Sequence, residues 1–459
     1  MRYRVKIHSS SFRDPAGFVF QSEDRILRQV NQAGRDDYDH FMRSGLYESL
    51  VKDGLLVQHE ESNSDAFDST SAYRVIEPER IPFITYPYEW CFEQLRDAAL
   101  LTLELEIRAL KYGMGLKDAS GYNIQFLGSR PVFIDTLSFE RTGSGKPWRA
   151  YGQFCRHFLA PVALEAMTGP AMANLFRSCM DGIPLDQAVR LLPFSARFKP
   201  GLALHLFLHE KNLRKQKDIT LAHNEQAHIN LRAILEHLKE TVQTIRQRFD
   251  DSHWVNYENN DVADDYRMEK RAILSDLLER ISPESVWDLG SNTGDYSHQV
   301  STRSRFVAAM DSDPACVQNL YLRSREKGKQ NIVPLVMDLG NPSPSLGWDH
   351  QERMSLKERG PADCVLALAL IHHLRIKQNI PLRMSADFFA DIARYLIIEF
   401  VPLEDPKAMV MTASLDRKFE DYNVKEFERV FAAKFEILVT AEISVTRRRI
   451  YLMKNRGSI

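Results

Sequence analysis

Residues 265–459 predict an α/β domain built on a mostly parallel sheet, preceded over residues 1–213 by a separate α+β domain. Three observations carry the first prediction. Val286-Trp287-Asp288-Leu289-Gly290 runs as an apolar strand into a glycine turn that closes at Gly294 and leads into a helix. Two further apolar stretches, residues 305–311 and 332–338, each end on an aspartate at strand spacing. The stretch from Ala362 to Ile371 is almost wholly apolar, as a strand buried on both faces should be.

The glycine turn sets the ligand class. Glycines at 290 and 294 let the backbone pass close to a bound molecule because no β-carbon intervenes. A dinucleotide site needs the three-glycine fingerprint, and Gly290-Ser-Asn-Thr-Gly294 does not complete it. Two glycines with Asp288 upstream suit a nucleoside ligand with an amino-acid part and no pyrophosphate, namely S-adenosylmethionine (SAM). Asp311, about twenty residues beyond the first turn, stands where a ribose diol is held in nucleotide-binding α/β folds. Asp338 closes the third strand and is placed to accept from an adenine amino group. Residues 395–401 give a fifth strand, and residues 435–439 with 449–453 a final pair.

The run Asp-Leu-Gly-Ser-Asn-Thr-Gly, Met-Asp-Ser-Asp, Met-Asp-Leu, Leu-Ala-Leu-Ile-His-His-Leu resembles the successive motifs of Rossmann-like SAM-dependent methyltransferases. The resemblance implies a seven-stranded sheet whose last strand is antiparallel, with SAM across the carboxyl ends of the early strands. It further implies that Asp288, Gly290, Asn292 and Gly294 line the methionine part, Asp311 the ribose, and Asp338 with Leu339 the adenine. The layout of the whole chain is also similar to bacterial host-specific nodulation methyltransferases, which implies a glycan acceptor.

Composition bounds the rest. A chain of 459 residues exceeds one such domain, so two are expected, over 1–213 and 265–459, with a helical linker and lid over 214–264. The net charge of −2 gives no electrostatic case for a nucleic-acid partner. Five widely spaced cysteines without a C-x-x-C pair read as reduced thiols of a cytoplasmic protein. The N-terminus lacks a signal-peptide core and no run is long enough to span a membrane, so no membrane partner is expected.

The N-terminal half reads as a hairpin over residues 17–30, helix over 36–56 broken near Gly45, extended chain around residues 80–90, and a long helix from about Phe92 to Tyr112. Asp118, Asn123 five residues later, and Asp135 closing the next apolar strand form the acid set with which kinases orient a hydroxyl and hold magnesium on ATP. This half therefore resembles protein kinase and aminoglycoside phosphotransferase folds, implying ATP and Mg there. It departs from them at Leu116, where a histidine is usual, at Thr136-Leu137 after Asp135, and in lacking a Gly-rich loop and a Val-Ala-Ile-Lys strand. The plainer alternative has Asp118 capping a turn and Asn123 fixing a loop.

Residues 219–249 carry an amphipathic helical pattern that suits interdomain packing. Tyr257 and Tyr266, just before the first motif, are candidate lid residues, with ordinary packing as the alternative. His372 and His373, past the fourth strand, stand where an acceptor meets the methyl group, and either can serve as base for a hydroxyl; ordering the loop is the structural alternative. Glu399 ends the fifth strand near the same edge. No ligand spacing supports a metal. Arg447-Arg448-Arg449 reads as a solvated bend. The expected function is O-methylation of a small-molecule, glycan or peptide acceptor presented by the N-terminal domain. The competing readings are an ATP-dependent phosphotransferase with a SAM-sensing C-terminal half, and a non-catalytic scaffold.

Overall fold

The computed structural model describes residues 6–143, 147–217, 230–247, 264–413, 415, 418–444 and 446–457. Tyr257 lies outside the described residues. The chain divides into two compact units, one of residues 1–126, 130–250 and 347–352, the other of 127–129, 251–346 and 353–459. The first unit thus runs past residue 213, because the helix Leu231–Thr244 packs within it rather than linking two domains. Leu235, Leu238 and Val242 bury its apolar stripe, and Lys239 reaches Glu104 of the helix Phe92–Lys111 at 2.9 Å.

In the N-terminal unit β1 (Lys6–Ile7), β2 (Gly17–Ser22), β3 (Arg25–Asn31), β4 (His59–Glu61) and β5 (Ala72–Pro78) form an antiparallel sheet in the order β1-β2-β3-β5-β4. The expected helix over 36–56 is two helices, Arg35–Arg43 and Leu46–Lys52, broken at Gly45, whose φ of 85° is cheap only for glycine. Short pairs follow: β6 (Met114–Leu116) with β9 (Phe139–Arg141), and β7 (Ile124–Leu127) with β8 (Arg130–Phe133). Among the described residues no helix is long and apolar enough to cross a membrane.

The C-terminal unit is built on β10 (Ser285–Leu289), β11 (Phe306–Asp311), β12 (Ile332–Val336), β13 (Ala362–Ala367), β14 (Ala393–Phe400), β15 (Phe435–Glu442) and β16 (Arg449–Asn455). They form one sheet in the order β12-β11-β10-β13-β14-β16-β15, parallel except for β16, which pairs antiparallel with both neighbours. Strands β10, β11 and β13 are buried almost throughout, which explains their unbroken apolar runs. The sheet reverses its direction of growth between β10 and β13, and at such a point the flanking loops part to leave a crevice outside the carboxyl ends. The fourth strand stops at Ala367, short of the apolar run, because the chain turns there through Ala369 at φ 49°.

Candidate functional site

The crevice at the ends of β10–β13 is an open cleft lined by Lys270, Asp288, Gly290, Ser291, Asn292, Tyr296, Asp311, Asp338 and Leu339. Leu368, Ala369, Leu370 and His373 line it from the β13 side. The β10 turn is tied to β11: the N–H groups of Gly290 and Ser291 both donate to the carbonyl of Met310, at 2.8 and 3.0 Å. Gly290 has φ 77°, and a β-carbon there would come within 3.3 Å of Leu370.

Asn292, at φ 49°, donates its backbone N–H to Asp311 Oδ2 at 2.8 Å, and Asp313 donates its N–H to Oδ1 at 2.9 Å. The Asp311 carboxylate is thereby fixed in orientation while keeping lone pairs for a ligand hydroxyl. Burial pushes its carboxyl up, against the backbone hydrogen bonds that lower it. Asp288 is buried and accepts from Ser297 Oγ at 2.5 Å. Asp338 is held by Gly340 N–H at 2.8 Å and by Gln378 Nε2 at 3.1 Å.

A SAM molecule fits these groups. Ser291 Oγ is buried on the cleft wall without a hydrogen-bond partner among the described residues, a polar atom that a ligand would satisfy. Gly294 plays a different part from the one expected. It does not line the cleft: its φ of 84° opens the helix Asp295–Val300, and a β-carbon would sit 2.2 Å from Leu320 Cδ1.

The catalytic candidates separate. His373 lines the cleft, and burial, helped by Lys377 and Lys407, lowers its imidazole to about 4, so the ring is neutral near pH 7. His372 is buried behind it, its ring centroid 4.3 Å from that of His373, with neither nitrogen hydrogen-bonded among the described residues. It does not line the cleft, because the chain already coils as it leaves β13 and successive side chains diverge.

Glu399 does not reach the cleft either. It is fully buried, accepting from Tyr266 OH at 2.8 Å and pairing with Lys270 Nζ at 2.7 Å and Arg448 Nη1 at 3.2 Å. Burial opposes its charge, but Lys270 and Arg448 outweigh that and hold the carboxyl at about 2. Tyr266 belongs to the hydrophobic core and serves this carboxylate, so it is no lid residue. Arg448 is likewise buried, bidentate to Asp405 at 2.7 and 3.1 Å, where the sequence suggested a solvated bend. Lys270, which sequence reasoning passed over, contributes to the cleft from the helix Asp264–Ile281. Only its burial among apolar helix positions distinguishes it.

In the N-terminal unit Asp118, Asn123 and Asp135 are brought together. Asp118 accepts from Ser120 N–H at 2.9 Å and Gln153 Nε2 at 2.7 Å, and burial followed by the Asp135 charge raises its carboxyl. Asn123 donates to Ser138 Oγ at 3.3 Å. Asp135 is paired with Arg28 of β3 and accepts from Ser138 Oγ at 2.6 Å and Leu137 N–H at 3.1 Å. A magnesium-binding acid would have to give up that arginine. Among the described residues no cluster of three or more histidine, cysteine or acidic side chains is arranged to hold a metal.

The α/β sheet of the C-terminal unit, its reversal point and the cleft beside it agree with the resemblance to Rossmann-like SAM-dependent methyltransferases. No family model matches the chain. Nodulation protein NoeA of Rhizobium meliloti (strain 1021) is 34% identical over 455 residues, covering 96% of this chain and 95% of NoeA. Among solved structures, N-methyltransferase NodS from Bradyrhizobium japonicum WM9 aligns with 42% of this chain and 98% of its own, at 10% identity and a TM-score of 0.33. Magnesium protoporphyrin IX methyltransferase ChlM from Synechocystis PCC 6803 with bound SAH aligns with 44% of this chain and 92% of its own, at 16% identity and 0.32. The bifunctional kinase-methyltransferase WbdD aligns with 42% of this chain and 39% of its own, at 18% identity and 0.30. At these scores the structural likenesses are partial and decide nothing. Identity over nearly the full length of both chains does: the chain belongs to the family of nodulation protein NoeA.

Proposed function

We propose that the chain is a SAM-dependent methyltransferase that O-methylates a small-molecule, glycan or peptide acceptor. The observation that carries this reading is the Asp311 carboxylate, clamped by two backbone N–H groups beside a glycine turn at the sheet's reversal point. A clamped acid there suits a ribose diol. Asp288 suits an ammonium, and Asp338 with Leu339, which line the same cleft, an adenine. When bound, SAM supplies an electrophilic methyl group on its sulfonium. The chain's own task is then to align the acceptor in line with that methyl and to exclude water. Leu368, Leu370 and Leu374 supply apolar wall for the exclusion. His373, neutral and on the cleft wall, takes the hydroxyl proton at a ring nitrogen as the new bond forms.

Among the three acceptor classes, the nodulation-type resemblance of the whole chain favours a glycan. The N-terminal unit is assigned the presentation of that acceptor. Phosphotransfer there has weaker support, since Arg28 already neutralises Asp135. The cysteines, four of the five buried and none in a C-x-x-C pair, read as reduced thiols that suit the cytoplasm.

The test is calorimetric titration of the full chain with SAH. Binding that Asp311→Ala weakens by about 100-fold or more, the value of two charged hydrogen bonds, supports the reading. Wild-type protein that binds neither SAH nor SAM refutes it.

A further inference from the structure

The N-terminal unit carries an apolar cluster on its surface that the proposed methyl transfer does not use. Pro193 and Pro200 bracket the short helical turn Phe194–Phe198, which buries Ala196 and leaves Phe194 and Phe198 71% and 74% exposed. Their rings meet edge to face, with 5.4 Å between centroids. The Arg197 guanidinium lies 5.8 Å from the centre of the Phe194 ring and 5.0 Å from that of Phe207, which ties the turn to the helical stretch Ala203–Leu208. On that stretch Leu204 and Leu208 are exposed as well, as is Leu191 at the end of the helix Leu185–Leu191. A folded chain rarely leaves large apolar side chains clustered in water unless something covers them in use.

The charges around the cluster say what covers it. Residues 190–215 hold six arginines and lysines against one acid, Glu210, in a chain whose net charge is −2. That acid is already paired with Arg214. Arg190, next to Leu191 in the chain, lines a groove of about 580 Å³ with Arg156, Arg214, Leu213 and the acids Asp186 and Glu210. Aromatic and aliphatic side chains set among cations match a surface that is anionic at its face and apolar beneath. We propose that the turn around Phe194 and Phe198 docks the N-terminal unit onto an anionic phospholipid membrane. The two rings enter the acyl boundary, and Arg197 and Lys199 meet head-group phosphates. A second copy of the chain fits less well, because a symmetric pairing of the patch on itself would bring two sets of cations face to face. A protein partner fits less well too, since lysines such as Lys199, Lys211 and Lys215 are depleted from such interfaces. The expectation of no membrane partner rested on the lack of a spanning run, and attachment to the surface needs none: among the described residues no helix is long and apolar enough to cross.

The experiment is co-sedimentation of the full chain with vesicles of equal parts phosphatidylglycerol and phosphatidylcholine, and with vesicles of phosphatidylcholine alone. Wild-type protein is expected to bind the mixed vesicles at low salt, at least about 10-fold more tightly than the neutral ones, and to come off as salt is raised. Phe194→Ser/Phe198→Ser should weaken that binding by about 100-fold, as two aromatic rings lose their burial. Arg197→Gln/Lys199→Gln should weaken it by about 10- to 30-fold. All four positions lie at the surface, so both variants should keep the wild-type Tm, which shows that they fold. Wild-type protein that stays in the supernatant with the mixed vesicles overturns the proposal. So does binding that the serine pair leaves unchanged, or equal binding to the two kinds of vesicle. Sedimentation velocity without lipid supplies the last arm: a dimer that the serine pair dissociates would make the patch an interface between copies and overturn membrane docking.

Discussion

Replacing Glu399 by glutamine tests the buried charge array most directly. In the folded chain its carboxyl is held at about 2 against an ordinary value of 4.5, because Lys270 and Arg448 outweigh the opposing effect of burial. A depression of that size corresponds to about 3 kcal/mol of stability from the ionised group at pH 7. The sign follows from the direction: stability is fully present above about 4.5 and is lost as the pH falls towards 2. By pH 3 about 2 kcal/mol should already be gone. Glu399→Gln removes the carboxylate and leaves Lys270 without a counter-charge, which at pH 7 should cost about 3–5 kcal/mol.

Scanning calorimetry of wild type and Glu399→Gln between pH 3 and 7 reads this as a Tm difference. For a unit of this size the expected gap at neutral pH is about 10 °C, and it should narrow as the medium is acidified, since the wild type loses what the variant never had. A gap that stays constant across the range would refute the linkage. A gap worth under about 1 kcal/mol at pH 7 would mean that the ion pairs barely repay their desolvation.

His373→Ala should lower kcat by about 100-fold or more while SAH affinity is retained, and the acidic limb of the wild-type rate profile should fall near 4 rather than near 6.5, because the ring stays neutral down to that value. Gly294→Ala forces a side chain into φ 84° and towards Leu320, so it should destabilise the C-terminal unit by about 1–3 kcal/mol, seen in its Tm. Asp135→Ala leaves the half-buried Arg28 without its partner, and should destabilise the N-terminal unit by about 3–5 kcal/mol with no change in SAH binding by the C-terminal unit.

How far the sequence reached differs between the two halves. Strands β10 to β14 were readable because a strand buried on both faces must be apolar along its length, and the turns after β10, β11 and β12 announce themselves through glycine or an acid. Asp288, Gly290, Asn292, Asp311, Asp338 and Leu339 do line one cleft. The hairpin β2–β3, the break at Gly45 and the helix Phe92–Lys111 were legible for similarly local reasons. The kinase-like triad shows the limit of such reading. Asp118, Asn123 and Asp135 meet as their spacing suggested, but nothing near Asp135 in the sequence announces Arg28, which lies 107 residues earlier.

The same limit explains Glu399, Arg448 and Gly294. Each was read from its neighbours in the chain, and each has its role fixed by groups far from it: Lys270 and Arg448 around Glu399, Asp405 against Arg448, Leu320 against Gly294. By itself, then, the sequence determined the sheet of the C-terminal unit and the ligand-facing turns at its edge, since periodicity and turn chemistry act over a few residues. The tertiary structure alone decided which polar side chains face the cleft and which are sealed behind it, because burial and ion pairing depend on partners that the chain supplies from more than a hundred residues away.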